Sequence, residues 1–260
     1  MVDNYILLEE ESGKMYCVQL IDESMKIKGL GIINPMEHFG AVEMGQVIDV
    51  CGKPLRRIPP RLPTLIRSMK RRAQTISDKD AGVLIAKLGL GDGDTVVEAG
   101  LGSGGLSMHL ARVLGRHGTL VTIEAREEHA QVGLENLERA KQTWIGFPTH
   151  IHHKGTIESI APQLLAQGVQ ADAVILDLPD HPPAIESTAT LLQVGGRMAC
   201  YCPVSNQLEQ AWLACENSGL TIEWAGEIME RQWGRASKGG MRPVNGPFGH
   251  TAFLIIAVRH

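Results

Sequence analysis

Between Cys51 and Ile76 the sequence contains no acidic residue, while "GKPLRRIPPRLPTLIRSMKRRAQ" carries Lys53, Arg56, Arg57, Arg61, Arg67, Lys70, Arg71 and Arg72. The absence excludes ion pairing within the strip, so its charges must be met by acids from elsewhere or by an anionic partner. The formal net charge of −4 does not rule out a phosphate partner, because charges beyond roughly 8 Å are screened at physiological salt. A solvated linker is the plainer reading of the same strip.

Other shortages narrow the class. The five cysteines, Cys17, Cys51, Cys200, Cys202 and Cys215, form no C-x-x-C pair and lie on apolar stretches. That argues against a metal site and a secreted disulfide framework, and buried reduced thiols are expected. Their odd number leaves an inter-subunit disulfide open. No apolar run approaches the roughly 18 residues of a membrane span. The opening "MVDNYILLEEESGK" has neither the basic nor the apolar region of a secretory leader, so a cytoplasmic protein is expected. With 43% hydrophobic and 21% charged residues, 260 residues suffice for a main domain with a small appendage.

Residues 1–60 read as a small β-rich domain, with strands "YILL", "MYCVQL", "KGLGII" and "GQVIDV". The prolines of "IPPRLP" interrupt regular structure, and residues 61–77 are expected to form a basic linker. From residue 78 to 260 helices and strands alternate. Ser77 with Asp80 makes a capping-box-like start for a helix to about Leu88. Strands "TVVEAG", "GTLVTIEA", "HIHHK", "ADAVILDL" and "GRMACYC" follow, separated by helices of ten or more residues, the pattern of parallel pairing with right-handed crossovers. The end differs: "LTIEWAGEIMERQW" and "HTAFLIIAV" are joined by a Gly/Pro-rich loop, Gly234 to Gly249, and suggest a terminal antiparallel hairpin. The fold class is α/β, a Rossmann-like doubly wound sheet.

"VVEAGLGSGGL" at residues 96–106 ends a strand on a carboxylate and breaks into glycines. Glycine at Gly100, Gly102, Gly104 and Gly105 lets a cofactor approach backbone amides, which serves a dinucleotide or S-adenosylmethionine (SAM) equally well. Glu124, closing the next strand, suits ribose hydroxyls in either class. Two carboxylates separate the readings. Glu98, just before the loop, would repel cofactor phosphates but suits the sulfonium and amino group of SAM. Asp177, in "ILDLPDHPP", lies at the same carboxyl edge across the switch point of the sheet. SAM is therefore the expected cofactor. Helix capping is the plainer role for either carboxylate.

These residues resemble a known family, the tRNA adenine-N1 methyltransferases of the TrmI type, which modify adenine 58 of the T-loop and in some archaeal members adenine 57. The resemblance runs from about Met69 to the end and is carried by "MKRRAQTISDKDA", "VVEAGLGSGGLSMHLAR", "LDLPD", "YCPVSNQ" and "GHTAFL". It implies a class I methyltransferase fold with a small N-terminal β domain, usually a homotetramer. It also implies that Gln74, Glu98, Gly100, Leu101, Gly102, Ser103, Gly104, Gly105 and Glu124 contact the cofactor. By the same resemblance Asp177 is the catalytic carboxylate, Tyr201 a substrate-pocket residue, and His250 and Thr251 lie near the active-site mouth. This chain has Ser77 where many relatives carry tyrosine, and reads Pro182 where they carry tryptophan. His181 is a candidate to replace the missing base-stacking group; an exposed loop histidine is the alternative.

The implied chemistry needs positioning more than proton removal, because adenine N1 has a free lone pair. Asp177 would accept from the adenine amino group and stabilise charge growing on the ring. Tyr201 would pack on the extruded base, or simply be a core tyrosine. Arg71 and Arg72 would meet tRNA phosphates, with Arg231, Arg235, Lys238 and Arg242 as a second set. Two other functions fit the glycine loop: a small-molecule SAM methyltransferase, for example one acting on a corrin precursor, and a non-catalytic tRNA-binding subunit. No metal is expected.

Overall fold

The computed structural model describes residues 4–244 and 249–260. In chain order the first part comprises β1 (Tyr5–Glu10), β2 (Met15–Gln19), β3 (Met25–Ile27), β4 (Gly31–Ile33), α1 (Pro35–Phe39), β5 (Val47–Val50) and β6 (Lys53–Ile58). Four of these strands form an antiparallel sheet in the order β2-β1-β6-β5, and β3 with β4 makes a separate ribbon. Alternation along β1 sends Ile6 and Leu8 into a core with Phe39 and Leu55, while Leu7 faces the other way.

Two expectations for this part are corrected. The sequence does not mark β6 as a strand, because its arginines mask the alternation; it is paired on both sides, with Leu55 fully buried. Cys51 is exposed, not a buried thiol. It occupies the two-residue turn between β5 and β6 with φ of 54°, followed by Gly52 at 77°, the pair of positive values that a tight hairpin turn demands.

The stretch read as a linker contains α2 (Leu62–Ser68). Pro63 does not prevent the helix because it falls in the first turn, where an amide hydrogen has no intrahelical acceptor to lose. Leu65 of α2 packs with Leu7, Leu101 and Met108, joining the N-terminal sheet to the larger unit. Truncating such a leucine typically costs about 2–5 kcal/mol.

The remainder comprises α3 (Asp78–Leu88), β7 (Thr95–Ala99), α4 (Gly105–Leu114), β8 (Thr119–Glu124), α5 (Glu127–Thr143), β9 (Thr149–Lys154), α6 (Ile157–Ala166), β10 (Ala171–Leu176), α7 (Pro182–Thr188), β11 (Leu192–Cys202), α8 (Ser205–Asn217), β12 (Leu220–Gly226), β13 (Trp233–Arg235), β14 (Met241–Pro243) and β15 (Phe253–Arg259). Seven strands form one sheet in the order β12-β15-β11-β10-β7-β8-β9. It is parallel from β11 to β9, and beyond β11 the antiparallel β15 pairs with the edge strand β12 as the expected terminal hairpin. From β7 the chain winds outward through β8 and β9, then returns to the other side as β10. The switch point therefore lies between β7 and β10, where a crevice opens at the carboxyl ends.

The long strand read over residues 220–233 stops at Gly226; Trp233 begins a two-stranded hairpin with β14. Residues 245–248 of the loop from Gly234 to Gly249 lie outside the described residues. Among the described residues, no helix is long and apolar enough to cross a membrane.

Candidate active site

Each carboxylate singled out in the sequence ends a strand at the crevice. Glu98 is the penultimate residue of β7, Glu124 the last of β8, and Asp177 follows β10. Between Glu98 and α4 the loop takes three left-handed glycines, Gly100 (φ 97°), Gly102 (54°) and Gly104 (77°). Gly105 has a different constraint: a Cβ there would lie 2.9 Å from that of Thr75. Glycine is thus required by the packing of the loop on its own surroundings as well as by any ligand.

Glu98 is buried and accepts from Ser107 Oγ at 2.6 Å, not from helix amides. Burial, with the nearby Asp177 charge adding to it, pushes its carboxyl up to about 8. Glu124 is less deeply buried and has the opposite outcome. Burial alone would raise its pKa, yet the Gly102 amide at 3.0 Å and the Arg126 amide and guanidinium, both at 3.1 Å, together hold it below the ordinary value. Asp177 is pushed up to about 6 by burial, against the pull of Arg126.

Three cavities meet at Asp177. One, of about 310 Å³, lies beside Glu124 and is lined by Ala125, Arg126, Ile157 and Leu178. A narrow cleft runs along Gln74, Glu98, Gly100, Leu101, Gly102, Ser103 and Gly105. The third, about 180 Å³, is walled by Gln74, Thr75, Tyr201, Pro203 and Thr251. The first two also share Gly100 and fit the two ends of SAM: a carboxylate with spare lone pairs for ribose hydroxyls at Glu124, and at Glu98 a buried carboxyl whose charge a cation would stabilise.

Ser103 has a further role that sequence did not suggest. Its hydroxyl accepts from the Arg72 and Ala73 amides at 3.1 and 3.0 Å and donates to the Ala73 carbonyl at 3.1 Å. Asn136, buried on α5, accepts from the Lys70 amide at 3.0 Å and donates to the carbonyls of Lys70 (2.8 Å) and Ser103 (2.9 Å). Residues 70–73 are thereby clasped to the glycine loop. A mid-helix asparagine carries no sequence signal for such a contact.

The basic strip is less free than its composition suggests. Lys53 pairs with Glu10 at 3.4 Å, Arg67 with Glu9 at 3.2 Å and Arg72 with Glu128 at 3.9 Å, while Lys70 pairs with Glu135. Arg56 and Arg57 donate to the Gly45 and Val42 carbonyls. Arg71 and Arg72 are exposed beside the crevice segment, and Arg242 is exposed on β14 opposite Gly234.

His181 is corrected outright. It is 1% exposed, precedes α7, and has Nε2 4.0 Å from Cys202 Sγ. It lines none of the three cavities, so it is neither an exposed loop histidine nor placed to stack on a base. Burial lowers its pKa. Ser77 also departs from expectation: its hydroxyl donates to Asp80 Oδ2 at 2.9 Å and caps no helix amide. His250 lines none of the three cavities; its Nδ1 is 2.7 Å from Glu227 and its Nε2 2.9 Å from the carbonyl of Pro203, which does line the third. Both partners only accept, so the ring donates twice, and Glu227 chiefly raises its pKa. Thr251 Oγ1 donates to Asp80 at 2.8 Å, and Tyr201 is pushed up to about 12 by burial. Among the described residues no cluster of three or more His, Cys, Asp or Glu is placed to hold a metal.

The chain is 29% identical over 272 residues to the tRNA (adenine(57)-N(1)/adenine(58)-N(1))-methyltransferase TrmI of Methanocaldococcus jannaschii, covering 97% of this chain and 94% of that one. It is 29% identical over 250 residues to the tRNA (adenine(58)-N(1))-methyltransferase TrmI of Thermus thermophilus, covering 96% and 94%. Among solved structures it resembles a SAM-dependent O-methyltransferase from Thermotoga maritima, with 27% identity, coverage of 100% and 94%, and a TM-score of 0.75. Residues 57–238 match the family described as tRNA methyltransferase complex GCD14 subunit, and the chain belongs to that family.

Proposed function

We propose that this chain transfers a methyl group from SAM to N1 of adenine 58 in the T-loop of tRNA, with adenine 57 as a second acceptor to be scored. The observation that carries the reading is the position of Asp177 at the junction of the two cofactor-shaped cavities and the Tyr201 cavity. The family membership and the named activities of the relatives support it.

When bound, SAM supplies an electrophilic methyl carbon on a sulfonium. The chain's own residues hold the two reactants. Glu124 would hold the ribose hydroxyls, and Glu98 would stabilise the cationic end. N1 lies on the Watson–Crick edge, so the base must leave its stack to reach the site. Tyr201 packs against it and Asp177 accepts from its amino group, aligning N1 and stabilising the positive charge that grows on the ring. Arg71 and Arg72, with Arg235, Lys238 and Arg242 on the C-terminal hairpin, hold phosphates. A homotetramer, implied by the family resemblance, and a cytoplasmic location belong to the same reading; sedimentation tests the former.

The deciding experiment incubates the protein with labelled SAM and unmodified tRNA transcripts and maps the methylated nucleosides. Label at adenine 58 is expected. SAM binding without label in tRNA would favour a small-molecule acceptor, and absence of SAM affinity would favour a non-catalytic subunit.

A further inference from the structure

Behind the Tyr201 cavity lies a buried charge that methyl transfer as described does not use. Asp80, in the first turn of α3, is 0% exposed. Its carboxylate accepts from Ser77 Oγ at 2.9 Å, Lys79 Nζ at 2.6 Å and Thr251 Oγ1 at 2.8 Å. Lys79 Nζ also donates to Thr251 Oγ1 at 2.8 Å. A helix start is served by an acid in water, as Asp78 already provides on this turn. Removing an ion pair from water costs several kcal/mol per ion before its partners compensate. The arrangement therefore calls for a reason beyond capping.

Thr251 supplies one. A threonine hydroxyl has one proton and two lone pairs. Here the proton goes to Asp80 and one lone pair meets Lys79, which leaves a single lone pair for any further donor. The Tyr201 phenol stands beside that hydroxyl and feels the Asp80 charge. Tyr201 and Thr251 both wall the cavity that Asp177 enters. Fixed by Asp80 and Lys79, the Thr251 hydroxyl presents one constant neighbour to Tyr201 at this wall.

We propose that Asp80 and Lys79 are positioning residues for methyl transfer, acting through Thr251 to hold the Tyr201 phenol in one orientation at the wall of the base pocket. The proposal rests on the tRNA methyl-transfer reading of this cavity.

The test is a double-mutant cycle between Asp80→Asn and Tyr201→Phe, reading labelled-methyl transfer to a tRNA transcript and, separately, SAM affinity. Asp80→Asn is expected to lower kcat by about 10- to 100-fold while leaving the Kd for SAM within about twofold. In the Tyr201→Phe background the same substitution should cost less than about threefold, because the group through which Asp80 acts is gone. Equal losses in both backgrounds, or a parallel loss of SAM affinity, would overturn the assignment to positioning. If Asp80→Asn does not fold, Thr251→Val, which removes the hydroxyl and keeps the shape, takes its place in the cycle; additive losses again count against the proposal. A wild-type chain that leaves tRNA unlabelled refutes the underlying reading, whereas additive losses with a labelling wild type refute the positioning role alone.

Discussion

Gly100 and Asp177 are packed backbone to backbone. A Cβ on Gly100 would stand 3.1 Å from the Asp177 carbonyl carbon and closer still to its oxygen, and the Asp177 amide donates to the Ala99 carbonyl at 2.9 Å. The first glycine of the loop therefore sets the position of the acid across the switch point. Gly100→Ala combines this collision with a φ of 97°. It should lose about 1–3 kcal/mol or more in chemical denaturation and weaken SAM binding in calorimetry. An alanine variant with ordinary affinity would show that the two backbones can separate at no cost to the site.

Glu98 links cofactor binding to stability. Its carboxyl is raised from 4.5 to about 8, so between those values the folded chain holds a proton that the unfolded chain has released. The associated stability is fully present below pH 4.5 and disappears as pH rises through about 8. Glu98→Gln removes the need for that proton. At pH 8 and without SAM the variant should unfold at higher denaturant than wild type, by an amount on the order of a few kcal/mol, while the two converge near pH 5. Its SAM affinity should fall. Equal stability of the two proteins at pH 8 would contradict a buried, raised carboxyl.

Asp177 stabilises the positive charge growing on the base only when it is ionised, and its pKa is raised to about 6. The rate of methyl transfer should therefore fall on the acid side with a midpoint near pH 6. Asp177→Asn should cut the rate around 10²-fold or more and abolish that limb, with SAM still bound. Near-normal turnover by this variant would remove Asp177 from the mechanism.

Asn136 offers a test of the clasp. Alanine there strips partners from the Lys70 amide and from the carbonyls of Lys70 and Ser103. The expected loss is about 1–3 kcal/mol. Because residues 70–73 lead into the Gln74–Thr75 wall, KM for tRNA should rise as well. A variant destabilised to this extent with unchanged KM would make the clasp purely structural.

Affinity for tRNA should decline steeply with salt, and more gently once Arg71 and Arg72 are both neutralised, which should also weaken binding at low salt. Exposed ion pairs such as Arg72 with Glu128 are worth at most about 1 kcal/mol, so phosphates can replace the acid. A filter-binding series insensitive to salt would rule out a phosphate role for this segment.

Much of the fold was legible because glycines and carboxylates sat at strand ends in a repeating strand-helix pattern. Glu98, Glu124 and Asp177 could be placed at one edge without coordinates, since a parallel sheet brings every strand's carboxyl end to the same side. Side chains whose partners lie far along the chain were not legible. Asp80 looked like a cap partner, yet it meets Thr251, 171 residues away. His181 looked like a loop residue, yet it is buried at the start of α7 beside Cys202 of β11. The strip of cations looked continuous, yet Glu9, Glu10, Glu128 and Glu135 reach it from β1 and α5.

By itself the sequence determined the class of fold, the cofactor loop and the family, because those depend on local backbone conformation and on the order of elements. Only the tertiary structure decided which charges are buried, which are paired and which face the cavity beside Tyr201. Burial and pairing arise when distant segments meet, and the resulting dielectric and hydrogen-bond partners, not residue type, set whether a carboxylate carries a proton, a charge or a neighbouring hydroxyl.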